Sequence, residues 1–321
     1  MIVSVLVITY NHEKYIRKCL DSILEQEGDF QLEILVGNDK SPDNTERVLR
    51  EYEGDKKFII LNRKQNMGAT KNLYDLYKKA QGEYIAVLEG DDFWTDPKKI
   101  QKQIKVLEEK DDSVLCFTDS HIVDNKDRII GEKLLPVEKL ESIKDVMFTI
   151  GKIPTGTILF KNIFLKNRHE NKGVEELLTA SNIIGDLPLL AFLIKSGKFY
   201  RLPEKTGSYR YITISGTSYS AMSIIKKSLE AEKVIRAIKA YYDPHAKFFL
   251  NCTICRSRKY LLKDLKKKDK KLLKEYKKSL KFKEILGLNL YTLFSPLDDL
   301  IRSLYRKKIK KYRKKNLFIN S

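Results

Sequence analysis

Residues 82–92 read Gly-Glu-Tyr-Ile-Ala-Val-Leu-Glu-Gly-Asp-Asp, and the rest of the chain is best read outward from them. The apolar run Tyr84 to Leu88, closed by a glycine on each side, is the pattern of a short strand buried on both faces. It ends in Glu89-Gly90-Asp91-Asp92, which places three carboxylates within four residues. Left unpaired, such charges repel one another and are costly to hold at a sheet edge. A divalent cation relieves that cost, because Mg2+ and Mn2+ prefer carboxylate and phosphate oxygens. One or two carboxylates can anchor an ion whose shell a diphosphate completes. Gly90 permits close backbone approach. A helix-capping role for these acids is the plain alternative, but Asp96 beside Pro97 already suits it.

Strand and helix patterns alternate on either side of this stretch. Residues 2–8 are an apolar strand run, and Tyr15, Ile16, Cys19, Leu20, Ile23 and Leu24 follow at helical spacing. Leu32 to Val36 and Phe58 to Leu61 read as strands. Asp43 can cap a helix through Val48 and Leu49, Gly68 to Ala80 reads as a helix, and Val114 to Phe117 as a further strand. The expected fold is an α/β domain: an open, mostly parallel sheet flanked by helices. Ligands of such sheets bind outside the carboxyl ends of the strands. Four polar strand ends would converge there: Thr9-Tyr10-Asn11, Asn38-Asp39, Asn66-Met67-Gly68 and Glu89-Gly90-Asp91-Asp92. Each alone is ordinary loop chemistry, but turns do not account for the repetition.

The motifs, in this order, resemble the family 2 glycosyltransferases of the GT-A fold, a Rossmann-like architecture. Val7-Ile8-Thr9-Tyr10-Asn11 looks like the family's opening strand, and Asn38-Asp39-Lys40-Ser41-Pro42-Asp43 like its N-D-x-S-x-D segment. Asn66-Met67-Gly68 with Lys71-Asn72 is similar to its N-x-G…R-N stretch, and residues 82–92 to its G-E-Y-I…D-x-D-D strand. The resemblance implies an inverting transfer from a nucleotide-diphosphate sugar, UDP being the commonest nucleotide, with Mn2+ or Mg2+ as cofactor. It implies that Thr9, Asp39 and Asp43 surround the base and ribose. Tyr10, Asn11, Glu13, Ser41, Asn66, Gly68, Lys71, Asn72, Glu89, Gly90 and Asp92 join Thr9 and Asp39 as nucleotide-sugar-binding residues. Asp91 is then the main metal ligand, with Asp92 or Glu89 assisting or binding the sugar. Glu89 stands where Asp is usual, and Lys71 where Arg is common, which weakens a bidentate phosphate clamp there. Gly185-Asp186-Leu187-Pro188 resembles the late acidic motif, so Asp186 is the implied catalytic base, with Glu175 and Glu176 as fallbacks. Simple N-capping by Asp186 is the alternative. Tyr209-Arg210 resembles a late Y-R segment, which implies a phosphate contact by Arg210.

Charge divides the chain. The first 220 residues hold 33 Lys and Arg against 34 Asp and Glu, whereas the last 101 hold 29 against 9. The expected organisation is a catalytic domain over 1–217 and a basic, helical C-terminal region over 218–321. Ser295-Pro296-Leu297-Asp298 looks like a helix start. Leu297, Leu300, Ile301, Leu304 and Tyr305 then share one face, followed by Arg306-Lys307-Lys308. Such a helix suits an anionic membrane surface; packing on the catalytic domain or on a second copy of the chain is the alternative. No nucleic-acid module is recognisable. The partners expected are a nucleotide-sugar donor and a glycan or lipid-linked acceptor of cell-surface polysaccharide synthesis.

The N-terminus shows no signal-peptide pattern, and no apolar run approaches the ~18–20 residues that span a bilayer. A cytoplasmic protein, peripheral on the inner face of the membrane, is expected. Cys19 and Cys116 read as buried thiols, and Cys252-x-x-Cys255 lacks a second pair for zinc. The four histidines show no metal spacing; His12 reads as part of a helix start. Two other functions compete. A nucleotidyltransferase would show a Gly-rich basic loop after strand one, where Thr9-Tyr10-Asn11-His12-Glu13-Lys14 stands instead. A non-catalytic nucleotide-sugar-binding protein of the same fold would have lost its acids, yet Asp91, Asp92 and Asp186 are intact.

Overall fold

Val3, Val5, Leu6 and Val7 are all fully buried, as a strand covered on both faces requires. They belong to β1 (Ile2–Thr9), the centre of the N-terminal half-sheet. The computed structural model describes residues 1–135, 137–165, 172–212, 222, 224–242, 244–268, 270–279 and 291. It divides the chain into two compact units, Met1–Ala221 and Met222–Ser321.

In the first unit β1 pairs in parallel with β2 (Gln31–Asn38) and with β4 (Tyr84–Glu89), and β2 pairs in parallel with β3 (Phe58–Asn62). Three helices connect these strands: α1 (Ile16–Leu24), α2 (Thr45–Leu49) and α3 (Ala69–Lys79). This is the expected α/β alternation. Beyond β4 the sheet becomes mixed. Its order is β3-β2-β1-β4-β9-β6-β10-β5, with β5 at Phe93–Trp94, β6 at Ser113–Val123, β9 at Ile158–Lys161 and β10 at Lys198–Arg210. β9 runs antiparallel to both β4 and β6, and β10 is parallel to β6. β7 (Ile129–Lys133) forms a hairpin on β6, and β8 (Lys139–Leu140) pairs with β10. The helices of this stretch are α4 (Lys99–Glu109), α5 (Ile143–Phe148), α6 (Lys172–Leu178) and α7 (Asp186–Leu193).

Pro97 does not open α4: the helix begins at Lys99, after Asp96 has accepted the Lys98 amide at 2.9 Å. Residues 155–157 form a 3-10 turn, so β9 starts only at Ile158. β10 has no counterpart among the expected strands. It carries Pro203 and Gly207, and its pairing with β6 shifts register between Leu202 and Lys205 and again before Ser208. Bulges of this kind break the period-two pattern by which a strand is recognised.

The core lies between the sheet and α1 and α4, where Val5, Cys19, Leu20, Ile23, Ile34, Ile100, Ile104 and Leu107 meet. Lys99 is also there, fully buried. Its ammonium lies 4.5 Å over the Trp94 ring and donates to Gln103 Oε1 at 2.6 Å. Burial pushes Lys99 down to about 7, against ~10.4 for an unfolded chain. Between these values the unfolded chain binds the extra proton, so stability should climb as pH rises from about 7 towards 10 and be lost on the way down. Lys99→Met should flatten this climb, read as the difference in urea midpoint between pH 7 and pH 9.5. An equally steep climb in the variant would refute the assignment.

The described residues of the second unit are helical, as expected. They form α8 (Ile224–Tyr241), α9 (Pro244–Lys268) and α10 (Lys270–Ser279). Val234, Ile235, Ile238, Leu250, Ile254, Leu261 and Leu265 are buried. Glu232 on α8 accepts Arg258 of α9 through both oxygens, at 2.6 and 2.9 Å. The amphipathic segment from Leu297 onward lies outside the described residues. Among the described residues no helix is long and apolar enough to cross a membrane. Cys19 and Cys116 are buried free thiols, and Cys255 is half-buried.

Candidate active site

The parallel register brings the polar strand ends together. Thr9 stands opposite Asn38, Ile8 opposite Glu89, and Asn38 opposite Asn62. The loop after β1 is then laced to the loop after β2. Asn11 adopts a left-handed φ of 62°, which asparagine tolerates, and its amide donates to Ser41 Oγ at 3.1 Å. The Glu13 amide donates to Asp43 at 2.9 Å, and Asn44 donates to both oxygens of Glu13. Burial alone would raise the Asp43 carboxyl, but bonds from the Thr45 hydroxyl and the Glu13 and Thr45 amides outweigh it and hold it low. Asp43 thus serves the first turn of α2 while bracing the neighbouring loop.

Asp39 is buried, and its oxygens accept the Met67 and Gly68 amides at 2.7 and 2.9 Å. It fixes the entry to α3, where Gly68 has φ 85°. Asn66 is exposed and Oδ1 accepts the Gly68 amide; Lys71 is exposed on the first turn of α3. Tyr10 is half-buried at the end of β1.

Asn72 behaves differently from the expectation of a ligand contact. It is fully buried, donates to the Gly37 carbonyl at 2.7 Å and accepts Arg63 Nε at 3.0 Å. A Cβ on Gly37 would lie 2.4 Å from Asn72 Oδ1, so this cross-link requires glycine there. Asn72→Ala should cost about 2–3 kcal/mol in a denaturant titration, since it strands a buried carbonyl and an Arg N–H. A loss within experimental error would contradict the structural role.

The acidic corner is built on a tight turn. The Gly90 amide donates to the Ile8 carbonyl and the Asp92 amide to the Glu89 carbonyl, both at 2.9 Å. A Cβ at Gly90 would approach Thr9 Oγ1 at 2.8 Å and His12 Nδ1 at 2.9 Å. Asp91 and Asp92 are buried, and His12 Nε2 lies 3.9 Å from Asp91 Oδ2. Burial first, then the charges of Asp91 and Glu89, hold the Asp92 carboxyl well above its ordinary range. Glu89 is raised by burial, then by Asp91 and Asp186, while a bond from Thr155 opposes the rise. Asp186 opens α7 and is raised by burial, against the Leu187 amide and Lys133. Its charge reaches Glu89, so the late acidic motif returns to the strand edge although 94 residues separate Asp92 from Asp186. Glu175 and Glu176 are exposed on α6.

Arg210 is spent on the protein rather than offered to a phosphate. It is 3% exposed. Nε and Nη1 donate to the Asp91 and Asp124 carbonyls, each at 2.7 Å, and Nη2 lies 2.6 Å from Asp127. Its guanidinium sits 4.3 Å over the Tyr15 ring, and its amide donates to Asp92 Oδ1 at 2.7 Å. The expected diphosphate contact is therefore replaced by a structural one: Arg210 braces the acidic turn from behind.

The family model for glycosyl transferase family 2 matches residues 4–167, half of the chain. The chain belongs to this family. An uncharacterised glycosyltransferase of Nostoc is 29% identical over 251 residues, 76% of this chain and 75% of that protein. An uncharacterised protein of Mycobacterium tuberculosis is 40% identical over 116 residues, 36% of this chain and 34% of the other. The chain thus matches about a third of the length of such mycobacterial relatives. Among solved structures, S. aureus TarS 1–349 in complex with UDP-GlcNAc has a TM-score of 0.58 at 17% identity, covering 91% of this chain and 79% of that fragment. The mannosyltransferase PcManGT from Pyrobaculum calidifontis, in complex with GDP-Man and Mn2+, has a TM-score of 0.51 at 15% identity, covering 93% and 86%. At these identities the likeness is one of fold, the GT-A fold.

The family 2 chain has residues that suit a divalent cation. Among the described residues no three His, Cys, Asp or Glu side chains close on one point, so the protein alone would not enclose an ion. Asp91 nevertheless fits an ion that takes most of its ligands from a diphosphate and water. Beside it, Thr9 Oγ1 and His12 Nδ1 are buried without a protein partner, which is chemistry suited to a cation and its waters. Asp92 fits less well, because Oδ1 already holds the Arg210 amide. Three residues of the site carried no functional reading in the sequence: His12, Thr155 and Lys133. His12 does start α1, its carbonyl accepting the Tyr15 and Ile16 amides at 2.9 Å, but it also faces Asp91. Lys133 and Thr155 come from segments with no recognisable motif, and only the mixed half of the sheet carries them to the corner.

Proposed function

We propose that this chain transfers a sugar, with inversion, from a nucleoside-diphosphate sugar, UDP-linked in the first instance, to a hydroxyl of a glycan or lipid-linked acceptor in cell-surface polysaccharide assembly. The observation that carries this reading is that the charge of Asp186, at the start of α7, acts on Glu89 at the end of β4. A transferase needs one acid beside the leaving diphosphate and another that takes a proton from the acceptor.

In this reading Asp91, assisted by Asp92, holds Mg2+ or Mn2+, which when bound supplies charge neutralisation for the departing diphosphate. Asp186 accepts the proton of the attacking hydroxyl, and its raised pKa suits a base. Thr9, Tyr10, Asn11, Glu13, Ser41 and Asp43 lie along the loops that would receive the nucleotide. Asp39 and Gly68 shape the wall opposite, with Asn66 and Lys71 on its exposed side. The UDP-GlcNAc bound to TarS and the GDP-Man and Mn2+ bound to PcManGT support this donor class. Incubation with UDP-GlcNAc, UDP-glucose, UDP-galactose and GDP-mannose, each with Mn2+, tests it. Release of nucleoside diphosphate that depends on the metal is expected with at least one donor; silence across the panel, without binding, refutes the reading. Binding without turnover would favour a non-catalytic nucleotide-sugar-binding protein.

Location at an anionic membrane surface is part of the same proposal. Lys263, Lys266, Lys267, Lys270, Lys271, Lys274, Lys277 and Lys278 are exposed along α9 and α10, a charge pattern suited to acidic headgroups. Co-sedimentation with phosphatidylserine vesicles that falls with salt is expected. Recovery of the protein in the supernatant at low salt would remove this part.

A further inference from the structure

Lys133 is the last residue of β7 and stands opposite Ser120 on β6. Strand alternation separates it from its neighbour: Glu132 points outward to the half-exposed Lys205 of β10, and Lys133 points the other way. There its ammonium lies 4.0 Å over the Tyr209 ring. The next residue, Arg210, is the one whose amide holds Asp92 Oδ1. The hydrogen bond of the ammonium within the described residues is a long one, 3.5 Å to the Gly151 carbonyl, although an ammonium has three protons to place. Its electrostatic partners are Asp186, Asp92 and Glu89. These are the proposed base, a metal-side carboxylate and the acid between them. Arg210 is committed to the Asp91 and Asp124 carbonyls and to Asp127, whereas Lys133 acts on both Glu89 and Asp186.

In a transfer between the diphosphate corner and Asp186, the group that must occupy the interval is the sugar being transferred. We propose that Lys133 binds a hydroxyl of that sugar, holding the ring between the acidic turn and Asp186. This rests on the reading of the site as a nucleotide-sugar transferase. The Tyr209 ring supports the ammonium on one side, and the hydroxyl takes an N–H that the protein bonds only weakly. The residue then contributes to the choice of sugar and not to the choice of nucleotide.

The test compares wild type, Lys133→Met, Lys133→Gln and Lys133→Arg by calorimetry with Mn2+. The ligands are whichever of UDP-GlcNAc, UDP-glucose, UDP-galactose and GDP-mannose binds wild type most tightly, and the corresponding nucleoside diphosphate alone. Lys133→Met should weaken the nucleotide sugar by ~10–100-fold, the size of a charge-assisted hydrogen bond. The nucleoside diphosphate should change by less than ~2-fold, and Lys133→Arg should restore part of the loss. Lys133→Gln keeps the test open if the methionine variant does not fold. An equal loss for both ligands, or no loss for either, in a variant with the wild-type unfolding midpoint overturns the inference while the transferase reading stands. A wild type that binds none of the four donors overturns both.

Discussion

Asp91→Ala should lower nucleotide-sugar turnover by at least ~1,000-fold, the scale expected when the anchor of a charge-neutralising cation is removed. Asp91 is the carboxylate of the acidic turn best placed for this role. Its neighbour Asp92 gives an oxygen to the Arg210 amide, and Glu89 is engaged by Thr155. Asp91's backbone carries the structural load instead, since Arg210 Nε binds its carbonyl, and that bond survives truncation of the side chain. The variant should therefore fold as well as wild type, or better. Asp91 is among the charges that raise both Glu89 and Asp92, so its removal relieves like-charge repulsion. A combined result is expected: unchanged or higher unfolding midpoint, lost turnover and lost Mn2+ response. Turnover within ~10-fold of wild type, still stimulated by Mn2+, would exclude Asp91 as the ligand.

Asp186→Asn should cost ~1,000- to 10,000-fold in kcat while leaving donor affinity within a few-fold, because general-base assistance is lost but the donor pocket is not. Asparagine has the same shape and can still accept the Leu187 amide that Asp186 accepts at the start of α7. The substitution therefore separates proton transfer from capping. If Asp186 merely capped α7, the variant would keep turnover within ~3-fold and lose at most ~1 kcal/mol of stability. That outcome would send the search to Glu175 and Glu176, although both are exposed on α6. The Lys99 and Asn72 variants test the scaffold by contrast, since neither side chain faces the acidic corner.

The central strands of the parallel half, β1, β4 and most of β2, were legible because they are buried on both faces. A predominantly apolar run closed by Gly or Asn, as in residues 2–11, 32–38 and 84–90, has few other readings. The strand ends were legible for the same reason, since in a parallel sheet polar residues at carboxyl ends share one edge. Thr9, Asn38 and Glu89 fall there by register alone. The mixed half was not legible. β10 passes from half-buried to exposed to buried along one strand and is interrupted by bulges, so no single period describes it.

Sequence by itself determined the family, the alternating α/β order, the convergence of four polar strand ends and the acidic turn at residues 89–92. These follow from local patterns: apolar runs, turn residues and charges close in the chain. Tertiary structure alone decided what each polar side chain does once it arrives. It locked Arg210 behind the turn and made Asn72 a cross-link to Gly37. It also brought Lys133 and Thr155 to the corner from segments with no motif. The physical reason is that a buried polar group must find partners wherever the fold supplies them, and those partners lie tens of residues away. Residue type and spacing state what a side chain can bond; only the packed sheet settles whether its bonds are spent on the protein or left for a ligand.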